Sequence, residues 1–138
     1  MRTLAEALLV TGEGQRFKAL RNALEEQGIG SRWARSFAEA QAVLRKPGLP
    51  QIIFTDTSLP DGDWESVLQL ALKTPAHVDV IVVSPWVDIK LYLDAIERGA
   101  QDFIVPPFEA ALMKHVVHDV VQKGAEDERP AISRADVA

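Results

Sequence analysis

Three short stretches of this chain are almost unbroken in their apolar character: Ala7-Leu8-Leu9-Val10, Gln51-Ile52-Ile53-Phe54 and Val80-Ile81-Val82-Val83. A weaker fourth, Phe103-Ile104-Val105, follows them. A strand with one wet face alternates apolar and polar residues. An unbroken apolar run is what a strand covered on both faces requires, and that is a parallel sheet between two layers of helices. Ser31-Arg32-Trp33-Ala34 is thinner in apolar content and reads as an edge strand.

Helical spacing fills the gaps between these runs. Phe17, Leu20 and Leu24 lie three and four apart, Arg21 and Glu25 can pair on the outer face, and Gly28 ends the segment. Ser36 with Glu39 forms a capping-box pattern opening a helix through Val43 and Leu44, which Pro47-Gly48 stops. Asp63 caps a third helix, with Trp64, Val67, Leu68 and Ala71 on its inner face and Pro75 at its close. Ile89, Tyr92, Leu93 and Ile96 supply the core stripe of a fourth, ending at Arg98-Gly99. The last helix is expected from Phe108 to about Lys123, with Met113, Val116, Val117 and Val120 on one stripe. This is strand and helix in alternation, five times over. Right-handed crossovers turn that pattern into a flavodoxin-like three-layer α/β/α sandwich with a five-stranded parallel sheet in the order 2-1-3-4-5. The domain is expected over residues 1–123. Residues 124–138 turn polar, small and charged and read as a tail or the start of a linker.

Composition narrows the chemistry. With 138 residues there is room for one ordinary domain. The chain has no cysteine, which excludes disulfides, thiolate metal sites and thiol nucleophiles. Its 15 basic and 20 acidic residues leave a net charge of −5, which argues against nucleic acid as a direct partner. No apolar run approaches the roughly 18 to 20 residues of a membrane span, and Met1–Glu6 does not open a signal peptide, so no membrane is expected and the cytoplasm is the expected compartment. Chemistry must come from carboxylates, hydroxyls, three histidines or backbone amides.

In an open α/β sheet those groups matter most just beyond the carboxyl ends of the strands. Asp56 is the only carboxylate placed directly at such an end. It could act as a nucleophile or a metal ligand; it also reads as a loop aspartate opening the turn at Pro60-Asp61-Gly62. Thr11-Gly12-Glu13-Gly14, after the first run, resembles a phosphate-cradling turn, giving a small-anion or ligand-binding alternative. The dinucleotide fingerprint fails there because its third glycine falls on Phe17. His115 and His118 stand three apart on the last helix without an evident third ligand.

Three motifs, in order, resemble the receiver domains of bacterial response regulators. Asp56-Thr57-Ser58-Leu59-Pro60-Asp61-Gly62-Asp63 is similar to their phosphoacceptor strand and loop. Val80-Ile81-Val82-Val83-Ser84 is similar to their fourth strand and the hydroxyl residue after it. Gly99-Ala100-Gln101-Asp102-Phe103-Ile104-Val105-Pro106-Pro107-Phe108 resembles their Gly-Ala-x-Asp-aromatic segment, which ends in Lys-Pro-Phe. The resemblance runs from about Glu6 to Lys123 and implies a signalling module of a two-component phosphorelay, not an enzyme.

The resemblance also implies roles. Asp56 takes the phosphoacceptor position, and Ser84 the hydroxyl that hydrogen-bonds the phosphoryl group. The family's acidic pair, which holds Mg²⁺ with the acceptor, falls on Thr11 and Gly12; its lysine falls on Pro106. The remaining candidate Mg²⁺ ligands are Asp56 and, if the loop rearranged, Glu13. A phosphoaspartate brings about two negative charges, so a pocket without metal and lysine is expected to be phosphorylated poorly or not at all. A cis Pro106–Pro107 bond would fit the family's turn into the last helix. Partners implied are a histidine kinase or another signalling protein, with a homodimer among the readings. The partner face would hold Trp86, Val87, Leu91, Phe103, Leu112 and Val121. A phosphorylation-independent interaction or dimerisation domain is the alternative function.

Overall fold

In the computed structural model, which describes residues 5–127, five parallel strands form one sheet. They are β1 (Ala5–Val10), β2 (Ile29–Ala34), β3 (Ile52–Asp56), β4 (Asp79–Val83) and β5 (Asp102–Ile104), ordered β2-β1-β3-β4-β5. The helices between and after them are α1 (Gly14–Glu26), α2 (Phe37–Leu44), α3 (Trp64–Lys73), α4 (Ile89–Glu97) and α5 (Ala110–Asp127). Ser58–Leu59 and Gly62–Asp63 add a small antiparallel hairpin between β3 and α3. The expected sandwich and strand order are observed.

Strand alternation sorts the core into two halves. Ala7, Leu9, Phe54, Ile81 and Val83 point to the side covered by α1 and α5, where Phe17, Leu20, Leu24, Met113 and Val116 meet them. Leu8, Val10, Ile53, Val80 and Val82 point to the other side, against Ala40, Trp64, Val67, Leu68 and Ala95 of α2, α3 and α4. Each such large apolar side chain, taken fully out of water, contributes about 1.5–3 kcal/mol. Surface ion pairs such as Arg98–Asp94 are screened by solvent and add little, so the two apolar layers hold the fold.

Two expectations are corrected. On α4 the residues read as the core stripe face outward: Ile89 is 70% exposed and Leu93 61%, with Tyr92 and Ile96 also exposed. The buried face consists of Ala95, with Leu91 half-buried against the same core. α4 carries two apolar stripes, and spacing alone does not say which one the sheet takes. The last helix begins at Ala110, not Phe108, and continues past Lys123 to Asp127. Residues 128–138 and the side chains of Val120 and Val121 lie outside the described residues.

Caps set where the loops at the carboxyl edge run. Ser36 accepts from the Glu39 amide at 3.1 Å and Asp63 from the Ser66 amide at 3.0 Å, as the sequence patterns predict. Asp61 does more than make a turn. Its carboxylate accepts from the Phe37 amide at 2.7 Å and the Ala38 amide at 3.0 Å, tying the loop after β3 to the start of α2. These two bonds, the Phe37 amide foremost, hold its carboxyl below the ordinary value of 3.8. A depressed folded-state value means the stabilisation is full above the unfolded value and lost as pH falls through the folded one. Asp61→Asn is therefore expected to melt below the parent near neutral pH, with the gap closing as pH falls below 3.8. Melting curves followed by circular dichroism across that range check this; a gap independent of pH would contradict it.

Candidate functional site

The carboxyl edge of the sheet gathers the ends of β1, β3, β4 and β5. Asp56 is the last residue of β3, paired in the ladder with Val83 of β4, and is only 3% exposed. β3 lies between β1 and β4, so the carboxylate emerges at the centre of the sheet edge. A carboxylate buried there needs donors or a cation, because desolvation penalises its charge by several kcal/mol if nothing replaces water.

The chain supplies three partners. The Thr57 amide donates to Asp56 Oδ1 at 2.9 Å. Thr11, the first residue after β1 and itself buried, donates its hydroxyl to Asp56 Oδ2 at 2.8 Å. The Arg16 guanidinium also closes on Oδ2, forming a short ion pair. Thr11 Oγ1 in turn accepts from the Glu13 amide at 2.9 Å, which fixes the turn between β1 and α1. One carboxylate oxygen is thus held by a backbone amide, and the other by a hydroxyl and a cation.

Ser84 follows β4 and is buried. Its amide donates to the Ile104 carbonyl at 2.9 Å, and its hydroxyl donates to the Trp86 carbonyl at 2.7 Å, so the side chain braces its own loop. The Pro106–Pro107 bond is cis, in keeping with the sequence expectation, and both prolines are exposed. Glu13 does not join Asp56. It is exposed, and among the described residues only its backbone amide is engaged at this turn. His115 lies exposed beside Asp119 at 3.5 Å, and the described residues hold no group of three acidic, histidine or cysteine side chains suited to a metal ion.

Arg16 escaped the sequence reading. The signal available was electrostatic: α1 has no acidic residue in its first turn, yet carries an arginine there, where the helix dipole disfavours a cation. A fixed anion opposite offsets that cost, and Asp56 is such an anion. Thr11 belongs by sequence to a glycine turn, and its hydroxyl bond spans 45 positions of sequence, beyond any local pattern.

With this geometry in place, comparison with known proteins is informative. The sequence profile of the response regulator receiver domain family matches residues 8–118. The chain belongs to that family. It is 32% identical to the swarming motility regulation protein RssB of Serratia marcescens over 101 residues, which cover 73% of this chain and 46% of RssB. Against the chemotaxis protein CheY of Bacillus subtilis it is 35% identical over 72 residues, covering 51% of this chain and 60% of CheY. The chain therefore spans less than two thirds of either relative. The fold is shared with a signal receiver domain from Vibrio parahaemolyticus (TM-score 0.78, 21% identity, 93% of this chain and 96% of that one). It is shared also with a response regulator from Thermotoga maritima (TM-score 0.73, 24% identity, 88% and 99%).

Receiver domains typically hold Mg²⁺ at the phosphorylation site. Mg²⁺ takes hard oxygen ligands in near-octahedral order, commonly from one or two carboxylates together with water. This receiver domain offers the buried carboxylate of Asp56, with Arg16 and Thr11 already on Oδ2, and among the described residues no group of three acidic, histidine or cysteine side chains suited to a metal ion. That donor set does not fit the ion.

The side chains expected on a partner face differ in exposure. Trp86 and Val87 are exposed as expected, and so is Leu112. Leu91 is half-buried and turns inward against the core. Phe103 is half-buried, its ring 5.8 Å from that of Tyr92, and lines a shallow groove with Val87, Ile89 and Leu93. Val121 lies outside the described side chains.

Proposed function

We propose that this chain is an atypical receiver module that passes its signal through protein contacts, without taking a phosphoryl group on Asp56. The observation that carries this is the Arg16 guanidinium on Asp56 Oδ2, beside the Thr11 hydroxyl. Acyl phosphate formation needs a carboxylate lone pair aimed at phosphorus and cations around the transferred group. Here the lone pairs of Oδ2 are engaged, and the Arg16 cation pairs with the acceptor itself. Thr11, Gly12 and Pro106 stand where the family has its acidic pair and lysine, which leaves the two charges of a phosphoaspartate without compensation. Ser84, bonded to the Trp86 carbonyl, serves its loop.

The contact surface is the outward side of α4 with the loop before it. Trp86, Val87, Ile89 and Leu93 form an exposed apolar patch of a kind that soluble monomers seldom leave uncovered. Its occupant in this reading is another signalling protein or a second copy of the chain, with neither nucleic acid nor a membrane as partner. Among the described residues no helix is long and apolar enough to cross a membrane.

Incubation with acetyl phosphate or beryllofluoride across a Mg²⁺ titration is expected to leave the intact mass and the spectrum of the folded protein unchanged. A stoichiometric, metal-dependent adduct that Asp56→Asn abolishes would overturn the reading. Sedimentation velocity addresses the surface: concentration-dependent self-association is expected, weakened about tenfold or more by Leu93→Glu. A chain that stays monomeric throughout would remove the second copy as occupant.

A further inference from the structure

A second recess opens at the carboxyl edge, on the side of β1 away from Asp56, between the start of α1 and the end of β2. It encloses about 460 Å³ and is lined by Gly12, Gly14, Lys18, Arg21, Trp33 and Arg35, together with Thr11. Three of these residues are cationic and none is acidic, in a chain whose net charge is −5. Lys18 and Arg21 are three apart on α1 and share a face. Trp33 and Arg35 are two apart at the end of β2 and just beyond it, which puts them on one side of the chain.

The cations are poorly matched inside the protein. Among the described residues, neither Lys18 nor Arg35 makes an ion pair. Arg21 approaches Glu25 only at 3.8 Å, and its Nε is buried without a hydrogen-bond partner. Its guanidinium instead lies over the Trp33 ring, 6.0 Å from the centroid, so a flat cationic and aromatic platform forms one wall. Three like charges facing one cavity repel each other, and a multivalent anion relieves all three at once. A single carboxylate would balance one of them. Arginine forks match phosphate oxygens, and the volume falls within the range of small-molecule sites.

We propose that this recess binds an oligophosphate anion, either the di- or triphosphate of a nucleotide or free pyrophosphate. Lys18 and Arg35 hold the phosphates, and Arg21 on Trp33 forms the wall against which a base would stack. Thr11 lines the recess and also bonds Asp56, so the two places share one turn of chain. The inference does not depend on whether Asp56 is phosphorylated.

Calorimetric titration of the full chain at low salt tests it, with pyrophosphate, ATP and adenosine as probes. Pyrophosphate and ATP are expected to bind saturably below about 1 mM, with adenosine inert. The double variant Lys18→Gln/Arg35→Gln should lose about tenfold or more in affinity for both, while keeping the parent's melting temperature because both side chains are exposed. ATP binding more tightly than pyrophosphate, by a margin that Trp33→Leu removes, identifies a nucleotide as the source. Equal affinities identify the free oligophosphate. Two results overturn the proposal: no saturable binding of either phosphate probe, or an equal loss in the distant charge control Lys46→Gln/Lys90→Gln.

Discussion

A buried carboxylate at the centre of a sheet edge has to be answered by charge, and in this chain the answer comes from within. Asp56 emerges from β3 only 3% exposed, and Arg16 reaches it from the first turn of α1. Removing one member of such a pair leaves the other desolvated and alone, which is among the more damaging single changes a domain can suffer. The rest of the carboxyl edge is arranged around this pair. Thr11 turns its hydroxyl to the same oxygen, the Glu13 amide braces Thr11, and α1 starts where Arg16 can point across the end of β1. The same geometry engages one carboxylate oxygen, Oδ2, with both a hydroxyl and a cation.

Much of the fold was readable from the chain because both-face burial writes itself as unbroken apolar runs. Leu8 to Val10, Ile52 to Phe54 and Val80 to Val83 are strands for that reason, and short loops between them leave little freedom in topology. Helix α4 was the exception. Ile89, Tyr92, Leu93 and Ile96 give a clean helical stripe, yet the sheet takes the narrower face of Leu91 and Ala95. A small alanine allows the helix to sit close, and periodicity is blind to that preference. The misread stripe is itself informative, because it leaves a large apolar surface outside.

At the site, legibility fell with distance along the sequence. Asp56 and Ser84 could be placed because one ends a strand and the other directly follows one. Their partners could not. Arg16 reaches Asp56 across 40 positions, and Asp61 reaches the start of α2 across 24. Only the fold brings these groups together, although an arginine at the positive end of a helix dipole was a usable hint. Receiver domains typically hold Mg²⁺ at this edge; beside Asp56 this chain places the hydroxyl of Thr11 and the guanidinium of Arg16. The carboxyl edge is thus divided between a neutralised aspartate at its centre and a cation-lined recess at its β2 end.

The pairing of Arg16 with Asp56 is the claim on which this account stands, and a double-mutant cycle measures it directly. Equilibrium unfolding of the parent, Arg16→Met, Asp56→Asn and the double variant isolates the coupling between the two side chains. The account predicts a favourable coupling of about 1–3 kcal/mol, toward the lower end because the Arg16 side chain is 29% exposed. Additive effects, with a coupling within about 0.5 kcal/mol of zero, would contradict it.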